Sequence, residues 1–236
     1  MLDSFKREMQ KLKNPKKAKL LQRYFKTGKG EYADGDVFLG IIVPEQRKAA
    51  KKYDLSLDEL QKLLSSKIHE YRLTALFILV DKYKEADEKL KKEIVDFYLK
   101  NTKNINNWDL VDLSAPNILG DYLVTSKHSM QLPDRKILYK LANSHHLWEK
   151  RIAILSCFAF IRKNQFDDSL KIAEILLKDK HDLIHKALGW MLREIGKRDL
   201  KAEEKFLARH CAAMPRTMLR YAIEKFDERK RAFYLK

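Results

Sequence analysis

The chain has 236 residues, 45% of them hydrophobic, enough to bury a sizeable core. Its 49 Lys and Arg against 33 Asp and Glu give a net charge of +16 and a pI near 9.6, a balance that points to an anionic partner, nucleic acid ahead of a membrane surface or an acidic protein. No apolar run reaches the roughly 18 residues of a membrane span, no apolar signal core follows the N-terminus, and Cys157 and Cys211 form no CxxC, so the chain is expected to be soluble and cytoplasmic, without a disulfide framework or zinc ribbon.

Taken in order, the basic run KNPKKAK (Lys13 to Lys19) reads as a solvated junction between helices. Four of the seven glycines fall between Thr27 and Gly40, in one extended loop. That loop lacks the GxxxxGK order and follows no strand, which argues against a nucleotide cradle of that kind. Pro44 suits the first turn of a helix over PEQRKAAKKY, and Ser56 caps the segment SLDELQKLLSS. HEYRLTALFILVDKYKEA, DEKLKKEIVDFYLK and DRKILYKLA all have helical apolar spacing, and Cys157 in IAILSCFAF reads as a small core residue. In HDLIHKALGWMLREIGK, residues Ile184, Leu188, Met191, Leu192 and Ile195 make one apolar stripe, while Trp190 points the other way with Lys186, Arg193 and Lys197. No strand-turn-strand pattern competes.

An all-helical chain calls for a search for repeats. EYRLTALF, NNWDLVDL, EKRIAILS and GWMLREIG recur at an even interval, so that Arg72, Asp112, Arg151 and Trp190 are separated by 40, 39 and 39 positions. A period near 40 with two helices per unit is the mark of a HEAT-like repeat superhelix, an all-α solenoid with one helix of each pair along a concave face, which the basic surplus is expected to turn toward nucleic acid. The expectation is a single domain over residues 1–236, with those four residues in a row on one surface. Such a solenoid has no need of a second copy, so a monomer is expected.

Three positions in that row carry chemistry. Trp190 amid cations suits a ring packed on a sugar or base while Lys186, Arg193 and Lys197 hold phosphates, or else an indole covered by a neighbouring helix. Arg151 sits among Trp148, Ile152, Leu155 and Phe158, where a guanidinium needs an anion, either a carboxylate such as Asp112 or a phosphate. Asp112 follows Trp108 by one helical step, which puts both on one face, and Pro116 removes the N–H that the Asp112 carbonyl would accept, so the helix should bend there. Alone, WxxxD is a surface acid; beside Trp190, Arg151 and the basic surplus it points to a site. The His145-His146 pair and the spacing of His181 and His185 offer no third ligand, so no metal site is expected.

NNWDLVD, LWEKRIAIL and KALGWMLRE, with FLGIIVPEQR near the N-terminus, resemble the DNA alkylation repair family of HEAT-like-repeat DNA glycosylases, the AlkD type, over almost the whole chain. The resemblance implies base excision repair of double-stranded DNA by hydrolysis of the N-glycosidic bond of cationic alkylated purines such as 3-methyladenine and 7-methylguanine. It implies no metal or cofactor, and a lesion that stays stacked. By motif position it implies Trp108, Asp112 and Trp190 as the catalytic cluster, Arg151 at the DNA backbone, and Tyr24, in QRYFK, near the lesion. The chain departs from the family in a longer loop over Lys26 to Asp36 and in Ile42, where some members carry a polar residue. The residues themselves leave open a non-catalytic HEAT-repeat protein that binds distorted or branched DNA, and a protein-interaction scaffold, which fits the repeats but not the charge.

Overall fold

Every regular element of the computed structural model, which describes residues 1–125 and 135–236, is helical. Among the described residues β-type pairing is limited to an isolated bridge between Val37 and Ile68. The chain divides into two compact units, Met1–Ser114 and Ala115–Lys236.

The first unit comprises α1 (Leu2–Lys11), α2 (Pro15–Tyr24), α3 (Val43–Lys52), α4 (Leu57–Leu64), α5 (His69–Glu85), α6 (Glu88–Lys100) and α7 (Trp108–Ser114). Side-chain caps set several of these boundaries. Asn14 accepts the Lys17 N–H at 3.0 Å with Pro15 in the first turn, and Ser56 caps α4 as its sequence predicts, the Glu59 side chain returning the bond to complete a capping box. α5 is the centre of the unit: α3, α4, α6 and α7 all pack on it, and it is buried almost all round. Gln61 and Asn101, 40 residues apart, exchange amide hydrogen bonds of 2.9 and 2.8 Å, so successive repeats meet at the period read from the sequence.

Burial of α5 includes its polar residues, and each has a partner. The Glu70 carboxylate accepts the N–H groups of Leu39, Gly40 and Ile41 at 2.9, 2.7 and 3.2 Å, which fixes the segment leading into α3. Gly40 there has φ +85°, and a Cβ would lie 2.1 Å from the Asn14 carbonyl oxygen, so only glycine fits. Arg72 is 3% exposed, ion-paired with Asp36 and donating to the Ser66 carbonyl at 2.7 Å. This corrects the expected surface row at its first member: the helix that carries Arg72 has neighbours on nearly every side.

The second unit opens with a single turn of π-helix (Pro116–Gly120), followed by α8 (Asp121–Thr125), α9 (Lys136–Ala142), α10 (Leu147–Arg162), α11 (Asp167–Leu176), α12 (Asp182–Gly196), α13 (Leu200–His210), α14 (Arg216–Ala222) and α15 (Glu228–Leu235). Of DRKILYKLA, Asp134 lies outside the described residues and Lys136–Ala142 is helical. At Pro116 the ring nitrogen can donate no bond; the Gly120 N–H instead reaches the Ala115 carbonyl at 2.9 Å, and the break expected at this proline takes the form of a wide turn. α10 packs on α9, α11 and α12, and α12 on α13 and α14, giving the paired-helix, HEAT-like repeat architecture. Its expected stripe, Ile184, Leu188, Met191, Leu192 and Ile195, is buried. Gly189 lets α14 come close: a Cβ there would stand 2.4 Å from the Met218 carbonyl oxygen. Cys157 is a core residue whose thiol is pushed up to about 12 by burial.

Candidate active site

α7 presents the sequence-predicted pair Trp108 and Asp112 one turn apart, both half-buried. Its start is held by side chains: Asn107 accepts the Trp108 N–H at 2.8 Å, and Asp109 Oδ1 accepts the Leu110 N–H at 2.9 Å. These bonds satisfy donors that the first helical turn leaves open. Asp112 lies near enough to Tyr98 to affect it. Burial raises that phenol, a hydrogen bond with Ser114 at 3.0 Å opposes the rise, and the Asp112 charge adds to it.

The indole of Trp108 is held by other aromatic rings of the same unit. It stacks on Phe25 with centroids 5.2 Å apart and planes 12° apart; Phe25 stacks on Phe38 at 5.1 Å, and Phe38 on His69 at 4.5 Å. Tyr24 meets Trp108 edge to face at 6.1 Å and is 66% exposed, so the structure brings two of the expected site residues together from α2 and α7. Tyr32, in the glycine-containing loop, hydrogen-bonds Trp108, and burial raises its phenol despite that bond. The loop thus helps to hold a site residue. Ile42 is 45% exposed at the N-terminal end of α3.

His69, Asp109 and Asp36 were not singled out in the sequence. His69 Nε2 is 2.8 Å from Asp109 Oδ2, and its Nδ1 is 3.7 Å from Asp36 Oδ2, an ion-pair distance too long for a hydrogen bond. Burial pulls the imidazole pKa down, but the charge and hydrogen bond of Asp109, with Asp36 beside it, raise it to about 9. A signal for the pair was present: His69 and Asp109 are 40 residues apart, one repeat, in the same register as Arg72 and Asp112.

In the second unit Trp190 is half-buried on α12, away from the apolar stripe, with its ring 5.7 Å from Phe158 of α10. The cations beside it all have carboxylate partners: Arg193 pairs with Glu224, Lys186 with Asp182 at 2.7 Å, and Lys197 with Glu194 at 2.6 Å. Arg151 is 5% exposed and donates to the Leu183 carbonyl at 2.5 Å, which corrects the expected surface row at this member as well: α10, like α5, is buried on nearly every side. By contrast, exposed Lys13, Lys16, Lys17, Lys19 and Arg23, on and just before α2, have no carboxylate partner among the described residues. Among the described residues no three His, Cys, Asp or Glu side chains are placed to hold a metal ion; His181 accepts the Leu183 N–H, and His185 meets the Asp179 carbonyl. No helix among them is long and apolar enough to cross a membrane.

An all-helical repeat with exposed lysines on α2 that lack carboxylate partners among the described residues defines a class, the basic HEAT-like repeat proteins, and comparison with known proteins narrows it. The DNA alkylation repair enzyme family matches residues 5–226, and the chain belongs to that family, the AlkD type of DNA repair enzyme. Among solved structures, a protein described as a predicted DNA alkylation repair enzyme from Enterococcus faecalis superimposes with a TM-score of 0.68 at 17% identity, covering 92% of this chain and 97% of that one. The crystal structure of AlkD2 from Streptococcus mutans matches with a TM-score of 0.55, also at 17% identity, covering 89% and 97%. At this identity both likenesses concern the fold. No curated protein sequence matches the chain.

Proposed function

We propose that this protein is a monofunctional DNA glycosylase that hydrolyses the N-glycosidic bond of cationic alkylated purines, 3-methyladenine and 7-methylguanine among them. The observation that carries the reading is the half-buried pair of Trp108 and Asp112 on one turn of α7, beside the exposed ring of Tyr24, in a basic chain of this family. N-alkylation turns the base into a good leaving group. The C1′–N bond breaks with its electron pair going to the base, which becomes neutral, and positive charge passes to the deoxyribose.

A carboxylate about 4 Å from that sugar, at an effective dielectric near 20, supplies on the order of 4 kcal/mol, or close to three decades of rate if it acts on the transition state. Asp112 is assigned this role, and that of positioning the water that adds to C1′. Trp108 offers an aromatic face worth about 1 to 2 kcal/mol to a desolvated cation. Trp190 and Arg151 are assigned by motif as a second such face and a phosphate ligand. The lesion's own charge supplies much of the lability, so the base can leave without being rotated out of the stack, and the chemistry calls on neither metal nor cofactor.

Incubation with duplex DNA containing 7-methylguanine tests the reading: free 7-methylguanine should accumulate with time. Tight duplex binding without release would instead support a non-catalytic DNA-binding repeat protein.

A further inference from the structure

From Arg151 to Ile161 every residue of α10 is buried except Phe158, which is half-buried, and the helix ends at the exposed Arg162. Arg151, Phe158 and Arg162 follow one another at spacings that bring them, at about 100° per residue, to one side of the helix. The Arg162 guanidinium carbon stands 4.1 Å over the Phe158 ring, and that ring is 5.7 Å from the Trp190 indole of α12. A cation, a phenyl ring and the indole thus run in series from α10 to α12, all within the second unit.

The other cations near Trp190 are committed. Lys186, Arg193 and Lys197 pair with Asp182, Glu224 and Glu194, and the buried Arg151 donates to the Leu183 carbonyl. Arg162 has no carboxylate partner among the described residues. A basic residue in the last turn of a helix suits the helix dipole whether or not anything binds it, so position alone assigns it nothing. The ring beneath it does more. Stacking restricts the guanidinium while its N–H groups remain free to donate, and a planar fork held in place loses little freedom on meeting two oxygens of one anion.

We infer that Arg162, held over Phe158, binds a backbone phosphate of the DNA strand whose sugar or base packs on Trp190. It takes the contact that sequence spacing gives to Lys186, Arg193 and Lys197. The inference rests on the reading of Trp190 as a DNA-facing ring and adds to it a phosphate ligand, Arg162, with Phe158 as its positioning residue. Arg162 has no part in the excision chemistry.

Duplex affinity of the full chain, titrated against salt, tests it. Arg162→Gln, an exposed change that leaves the core alone, should weaken binding about tenfold and lower the slope of log affinity against log salt by about one. Arg162→Lys should restore the slope but only part of the affinity, since a point charge replaces the fork. Lys163→Gln removes the neighbouring exposed charge and should change both quantities little. Phe158→Leu keeps the charge, so the slope should hold while affinity falls, and the double variant Phe158→Leu, Arg162→Gln should bind no more weakly than Arg162→Gln alone. Unchanged affinity and slope in Arg162→Gln, or equal losses in Arg162→Gln and Lys163→Gln, would overturn the inference. Single-turnover release of 7-methylguanine from the same preparations separates it from the reading of the site. With duplex saturating, Arg162→Gln should release base at the wild-type rate; a slower rate would place Arg162 at the chemistry and overturn its assignment as a phosphate ligand. A wild type that releases no base, with Arg162→Gln still losing affinity and slope, would remove the excision reading and leave the phosphate contact standing.

Discussion

His69 Nε2 lies 2.8 Å from Asp109 Oδ2, joining the first residue of α5 to the second residue of α7 across 40 positions of sequence. The bond anchors the turn that bears Trp108, and the ring ladder from His69 through Phe38 and Phe25 supports the same indole from a second side. The imidazole pKa, about 9 in the folded chain, exceeds its ordinary value of 6.5, so the proton is held more tightly when folded. Its contribution is complete below about pH 6.5 and is lost as pH rises through about 9; for a shift of this size it is on the order of 3 kcal/mol. Urea unfolding between pH 6 and 10 should show this loss in wild type, and His69→Gln should remove that part of the slope while lowering stability at pH 6.

Glu203 has the opposite consequence. Burial, with the Glu204 charge beside it and only partly offset by Arg193, raises its carboxyl to about 8, and its Oε1 has no partner. The folded state then holds a proton that the unfolded chain releases near pH 4.5, so stability falls as pH rises from there to about 8 and stays reduced above it. Glu203→Gln should therefore be more stable than wild type at pH 8.5, on the order of 5 kcal/mol, with little difference at pH 4.5. Thermal melts at the two pH values measure this; equal melting at pH 8.5 would show that the carboxyl finds solvent.

Arg72 and Asp36 form a buried ion pair, and Asp36 also faces His69. Arg72→Met removes one partner and leaves a carboxylate in the interior. The expected loss is about 3 to 5 kcal/mol in chemical denaturation, with a smaller loss in the double variant Arg72→Met, Asp36→Leu.

Phosphates should be held more readily by cations without partners than by paired ones. Replacing exposed Lys16 or Lys19 by Gln is expected to weaken duplex binding and to reduce the slope of log affinity against log salt by about one for each phosphate no longer neutralised. Lys186→Gln and Lys197→Gln, whose side chains pair with Asp182 and Glu194, should change that slope less. Salt titrations of the four variants distinguish the two surfaces.

Much of the helical framework was legible in the sequence because local rules wrote it: Pro44 in the first turn of α3, the Ser56 cap, the buried stripe of α12. The repeat period was legible too, and Gln61–Asn101 and His69–Asp109 realise it as hydrogen bonds between residues 40 apart. Phase was harder. Arg72 sits on the same period, yet its partner is Asp36, 36 residues before it and in the loop, so a row drawn by spacing alone placed a buried arginine on the surface. Glu70 and His69 are not legible as site residues for a related reason: α5 is buried almost all round, so its polar residues follow no amphipathic pattern, and their partners lie 29 to 40 residues away. At Arg193 the charge was legible but its partner was not, since Glu224 belongs to a segment 31 residues beyond it; the partners of Lys186 and Lys197, Asp182 and Glu194, lie within one helical turn of them.

The role of Asp112 is tested most directly by single-turnover excision of 7-methylguanine from duplex DNA by wild type and Asp112→Asn, with duplex affinity measured on the same preparations. The side chains are nearly isosteric, so the substitution removes the charge and leaves the shape. A fall of roughly three decades in the rate of base release, with affinity unchanged within about twofold, is the result predicted. Equal rates for the two proteins would contradict a carboxylate at the developing sugar cation.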